Sequence, residues 1–134
     1  MTHSILITKY ILKVLEESED LKTVLPIGSI YPIDARLSST FPFAVIQRTS
    51  ITPIGNKDGN NIDTVYFSII VVDDTYIGCV TIADKIREAL DGNGWRDNEA
   101  NVFLRDIELQ TANESIYNDA FLQTLDFRCT FEYI

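Results

Sequence analysis

Ala120-Phe121-Leu122-Gln123-Thr124-Leu125-Asp126-Phe127-Arg128-Cys129-Thr130-Phe131-Glu132-Tyr133 closes the chain with its cleanest alternation. Phe121, Leu125, Phe127, Cys129, Phe131 and Tyr133 share one parity, while Thr124, Asp126, Arg128, Thr130 and Glu132 share the other. Side chains of a strand point alternately to its two faces, so this segment is a strand with one buried face. A one-residue slip would turn the aromatics to water, which fixes the register strongly. A strand of ~14 residues spans roughly 46 Å, longer than the roughly 36 Å diameter of a globule of this length. The strand must therefore bend at a bulge, or its hairpin must project.

Working backwards, residues 102–111 predict a second strand, joined to the last by a loop over 112–119. Upstream, Asp73-Asp74-Thr75 supplies capping oxygens just before a helical pattern. That helix runs to Asp91, with Tyr76, Cys79, Val80, Ala83, Ile86 and Leu90 facing inward, and Gly92 and Gly94 ending it. Residues 43–51 and 62–72 read as two strands around a turn-rich loop, 53–61, hence as a hairpin. Val65, Phe67, Ile69 and Val71 make one face of its second strand. Near the start, Ile7, Tyr10, Ile11, Val14 and Leu15 recur at helical spacing within an amphipathic helix over 4–17. A short helical turn over 20–25, a brief extended piece at 30–32 and an irregular segment at 34–40 fill the remainder. All four prolines fall in the first 53 residues and neither Gly nor Pro follows Gly94, so the front is punctuated and the back regular.

The order is α-β-β-α-β-β. It predicts an α+β fold, an antiparallel or mixed sheet of four to five strands with two helices on one face. With 134 residues, a single domain over 1–134 is expected.

Twenty Asp and Glu against eleven Lys and Arg give a formal charge of −9. Affinity for nucleic acid comes largely from cations neutralising phosphates, so this balance argues against nucleic-acid or anionic-membrane binding. Solubility is the plain reading of the acidity. Lys9, Tyr10 and Lys13 interrupt the apolar start and no small-residue cleavage site follows, so no signal peptide is expected. No window reaches the ~18 apolar residues of a membrane-spanning helix. Asn113-Glu114-Ser115 matches a glycosylation sequon, but without a secretory route the match is chance.

The chemistry-bearing residues are sparse. His3 is the single histidine, near an end where chains fray. Cys79 and Cys129 lie in apolar runs and read as buried free thiols, not nucleophiles. Asp73 and Asp74, with Asp63, could contribute to a hard-cation site, though a helix cap explains them more simply. Asn56-Lys57-Asp58-Gly59 lacks the alternating acids of a calcium loop and reads as a turn. No phosphate-cradling glycine loop occurs, and no catalytic residue, cofactor or metal is expected. Contact residues are the remaining candidates. Trp95 and Arg96, just past a helix end, have the composition of an interface anchor or of an aromatic lid over that end. Ile54, Lys57 and Asp58 lie in a loop that could dock on a neighbour or stay solvated.

Four phrases stand out in this order: Ile30-Tyr31-Pro32, Phe41-Pro42-Phe43-Ala44-Val45-Ile46-Gln47, Val71-Val72-Asp73, and the helix Ile82-Ala83-Asp84-Lys85-Ile86-Arg87-Glu88-Ala89-Leu90-Asp91-Gly92. With the opening helix and the aromatic last strand, the whole resembles the tail-completion or tail-terminator proteins of long-tailed phages and prophages. The resemblance implies a non-enzymatic subunit forming a ring, commonly a hexamer, at the head-proximal end of the tail tube. Its partners would be itself, the tail-tube protein and head-connector proteins. It would occupy the host cytoplasm during assembly and the virion tail afterwards. Six acidic copies would make a lumen that repels passing DNA. Two other readings stand beside it: a monomeric protein-binding module, and a small hydrolase using two carboxylates.

Overall fold

A computed structural model describes residues 4–33, 40–54 and 61–133. His3, Lys57 and Asp58 lie outside the described residues. A turn of 3-10 helix at Ser4–Leu6 leads into α1 (Ile7–Glu16) and α2 (Glu19–Val24). After a second such turn at Ile27–Ser29 come β1 (Ile30–Pro32), β2 (Phe43–Pro53), β3 (Asn61–Asp73) and α3 (Tyr76–Leu90). The chain closes with β4 (Trp95–Asp97), β5 (Val102–Tyr117) and β6 (Ala120–Tyr133).

The sheet has six strands in the order β1-β2-β3-β6-β5-β4, curled into a half-barrel. It is mixed: β1 runs parallel to β2, and every other pair is antiparallel. This corrects the expected four to five strands, two helices and order α-β-β-α-β-β. The missed strands, β1 and β4, have three residues each. Three residues cannot display a period, and Pro32 and Gly94 read as punctuation. The third helix, α2, is the segment expected as a helical turn. It is set by Ser18, whose Oγ accepts the Leu21 amide at 3.3 Å.

The helical layer covers one face. Val65, Phe67, Ile69 and Val71 of β3 and Leu125, Phe127, Cys129 and Phe131 of β6 are buried beneath it, as their alternation predicts. Phe67 and Phe127 are register partners and stack at 5.3 Å between centroids. Ile7, Ile11 and Leu15 of α1 and Ile82, Ile86 and Leu90 of α3 close the core from above. Each such side chain contributes about 1.5–3 kcal/mol by leaving water. The inward stripe of α3 includes Ile82 where Val80 was expected, because α1 and α2 cover this helix as well as the sheet. Tyr76, expected in the same stripe, is 44% exposed.

The last strand was expected to bend at a bulge or to project, but β6 pairs with β3 without a register shift from Phe121 to Tyr133, and the bulges fall in its partner. β5 shifts register between Arg105 and Glu108 and again between Leu109 and Thr111, with Asp106 at φ +53°. Such bulges bend a strand and raise its twist. β5 also continues to Tyr117, so the expected loop 112–119 is strand closed by a two-residue turn at Asn118 and Asp119. Every residue of β5 from 110 to 117 is exposed, but the hairpin does not project: β6 stays paired with β3 up to Phe121, level with the start of β2.

Candidate interaction surfaces

At the β5–β6 hairpin, α3 begins beside the outer half of β5. Thr75 caps the helix by accepting the Gly78 amide at 3.2 Å, and the buried Asp73 accepts the Asp74 amide at 2.8 Å. Burial pushes the Asp73 carboxyl up, helped by the neighbouring Asp74. The cap leaves Tyr76 facing the hairpin. Its ring meets Phe121 edge-on at 5.7 Å and its hydroxyl donates to Glu114 at 2.9 Å, while Gln123 donates to the same carboxylate at 3.0 Å. The bonds from Gln123 and then Tyr76 hold the Glu114 carboxyl below its usual range, and the hydrogen bond to Glu114, then its charge, push the Tyr76 hydroxyl up. A depression of about 300 Å³ lies here, lined by Tyr76, Glu114, Ser115, Ile116, Phe121 and Gln123. Ile77, Ile116 and Tyr117 stand out at its rim, 73%, 62% and 70% exposed.

A second depression, about 340 Å³, lies where the turn after α3 meets the first bulge of β5. Gly92, at φ +77°, ends the helix, and its amide donates to Ile107 O at 2.7 Å while Asn93 O accepts the Ile107 amide at 3.3 Å. Asp91 accepts the Leu109 amide at 2.9 Å. Asp106 and Glu108 border the depression, but Glu108 is held by Arg128 at 2.6 Å. Arg105 Nε lies 3.3 Å from Glu132, an ion-pair distance without the alignment of a hydrogen bond.

The helix-free face of the sheet is half-buried along Val45, Ile70, Val72 and Leu122. Beside them Asp126 accepts from Ser68 and, at 2.8 Å, from Thr111. Its polar side chains are thus satisfied across strands.

The anchor candidates fall in two separate places. Trp95 belongs to β4, half-buried against Tyr10 at 5.7 Å, with its Nε1 donating to Glu17 at 3.1 Å. Arg96 is exposed, 5.7 Å over the Phe103 ring. Ile54 follows β2 and is 46% exposed. Sequence reasoning missed the group made by Tyr76, Glu114, Phe121, Ile116 and Tyr117. Its signal was the unbroken Asn113-to-Tyr117 run before an Asn-Asp pair, a hairpin pattern hidden by polar composition.

The thiols are core groups. Burial, then the Asp73 charge, pushes Cys79 up to about 11, and burial alone pushes Cys129 up to about 12. Among the described residues no three His, Cys, Asp or Glu gather as a metal site, and no helix is long and apolar enough to cross a membrane.

Comparisons bring three findings. The family model described as tail completion protein gp17 matches residues 9–132. No curated protein matches the chain. Among solved structures, a chain of the "Virion of native gene transfer agent (GTA) particle" is similar at TM-score 0.75 and 15% identity, over 91% of each chain. At that identity the likeness is one of fold.

Proposed function

Because the chain belongs to the tail completion protein gp17 family, we propose that it is a non-enzymatic virion-assembly subunit that forms a ring at the head-proximal end of a phage or prophage tail tube. There it ends tube growth and joins the tail to the head connector. The observation that carries this reading is the family match, which runs from Lys9 to Glu132 and so takes in every strand and α3. The fold shared with a virion component supports it. The chemistry of the surface agrees. Glu114, in the first depression, is held ionised, the wrong direction for a general acid, and Asp73, whose carboxyl is pushed up, is engaged at the start of α3. Exposed Ile54 and Arg96 are contact candidates for the tube or the connector.

Deleting the gene from the phage or prophage that carries it tests the reading directly. Electron microscopy of the lysate should then show headless tails of uncontrolled length, restored to joined virions by the gene in trans. Tails of normal length attached to heads in the deletion would overturn it.

A further inference from the structure

We propose that successive copies of this chain join their sheets edge to edge, the outer half of β5 in one copy lying antiparallel to the outer half of β2 in the next. The inference rests on the ring reading above and names its interface.

Each sheet edge is only half covered. β1 pairs with β2 over Ala44 to Ile46 alone, and β4 pairs with β5 over Val102 to Leu104 alone. The turn after α3 protects β5 as far as Leu109. Among the described residues no strand lies on the outer side of 47–53 of β2, the side away from β3, or of 110–117 of β5, the side away from β6. Unpaired edges are normally guarded by Lys, Pro or a short strand. The stretch 110–117 is long and holds no Lys, Arg or Pro. Its turn residues Asn118 and Asp119 both have positive φ, as a type I′ turn requires, and close on the pair Tyr117 and Ala120. In such a hairpin Tyr117 bonds inward to β6, so the amides and carbonyls of Ile116, Glu114 and Ala112 point to the open side.

The two open halves are shaped to interlock. Ser50 lies in one row with Tyr66, Arg128 and Glu108, whereas Asn113 lies in one row with Thr124, Ile70 and Val45. The open halves are therefore at opposite ends of opposite edges, like the two cuts of a lap joint. β5 runs opposite to β2, so a neighbour in the same orientation presents β2 antiparallel to β5. With Ser115, whose row holds Leu122, facing Ser50 of the neighbour, the offset is the six residues from Leu122 to Arg128 on β6, a step of about 20 Å along the strands, against about 19 Å across four strand spacings. A closed ring then needs strands leaning about 45° from its axis, at the steep end of the lean that strands adopt in barrels. In this register Ile46 of the neighbour, and with it Pro32 of β1, comes level with the 118–119 turn, whereas Asn113 facing Ser50 would set β1 against Ile116 and Tyr117.

The corners complement each other in chemistry. The hairpin corner offers Ile77, Ile116 and Tyr117 with the exposed acids Asp74, Glu114 and Asp119. The β2 corner offers Ile5 and Leu6, 66% and 43% exposed, with Arg48. Arg48 Nη1 donates to Ile5 O at 3.0 Å, which ties the start of the chain to β2. Arg48 forms no ion pair among the described residues. Unlike halves on one chain make a head-to-tail contact, the kind that closes into rings.

Paired cysteines test the contact in the full chain. Ser50, Thr52, Asn113 and Ser115 are exposed, and the native thiols are fully buried and silent. Chains carrying Ser50→Cys or Thr52→Cys together with Asn113→Cys or Ser115→Cys should give, on mild oxidation, a ladder of cross-linked multimers in at least one of the four pairings. The matching single variants should give dimers only when mixed. No ladder in any pairing, or dimers from one single variant alone, would overturn the edge contact. Native mass spectrometry of the unmodified chain separates the two ideas. Oligomers without a ladder would leave the ring reading standing and remove this interface. A ladder from a chain that is otherwise monomeric supports the contact and counts against a stable free ring.

Discussion

Gly78 shows how a single residue reports the local design. It occupies the first turn of α3, where alanine is ordinarily worth about 1 kcal/mol more than glycine. A Cβ there would lie 2.1 Å from Asp73 Oδ2 and 2.6 Å from Thr75 Oγ1. Thr75 Oγ1 caps the helix, and Oδ2 belongs to the buried Asp73 carboxylate whose other oxygen accepts the Asp74 amide; both side chains are short. Loss of such a cap costs about 1 kcal/mol, and displacing a buried, bonded carboxylate adds more. The crowding therefore outweighs the propensity. Gly78→Ala should lower stability by roughly 1–2 kcal/mol, read as a reduced urea midpoint. An unchanged or raised midpoint would show that the Asp73 carboxyl moves aside freely.

At the scale of elements, legibility followed burial. β6 and β3 were readable because a helical layer covers one face, which forces alternation on the sequence. β5 was readable only to Thr111; beyond it every residue is exposed, so no alternation is imposed and Thr-Ala-Asn-Glu-Ser resembles a loop. β1 and β4 were too short to carry a period, and with them went the sheet order. The position of Trp95 was equally hidden, since its contacts Tyr10 and Glu17 are distant in sequence and no local pattern encodes them. The interlocking corners are legible only once register is known. The 118–119 turn offers a test at this scale. Asp119 holds φ +63°, a conformation that costs a side-chain-bearing residue about 1 kcal/mol and glycine almost nothing. Asn-Gly is the preferred type I′ pair. Asp119→Gly should raise stability by about 0.5 kcal/mol, whereas Asn118→Val should lower it by about 1–2 kcal/mol, a β-branched residue being forced to positive φ. Opposite signs in urea titrations of the two variants are the expected signature, and equal signs would contradict the turn type.

For the whole molecule, pH is the informative variable, because both buried thiols and a buried phenol titrate on the same side. Cys79 and Cys129 are pushed up from 9 to about 11 and about 12, and burial with Asp97 nearby also pushes Tyr10 up. Unfolding releases these groups to ordinary values. Above pH ~9 the unfolded chain therefore binds fewer protons than the folded one, and stability falls as pH rises. The fall should begin near the unfolded thiol value and continue toward the folded values of about 11 and 12. Self-repulsion of a chain already at −9 would act in the same direction, but salt screens it, with a Debye length of about 3 Å at 1 M. Thiol ionisation is not relieved that way. Urea midpoints at pH 8 and pH 10.5 should therefore differ by nearly the same amount in low and high salt. A thiol-specific chromophore at pH 8 should label neither cysteine in the folded protein and both in urea. A difference abolished by salt would assign alkaline instability to surface charge, and rapid labelling of the folded chain would mean that the helix-covered face opens far more readily than its packing implies.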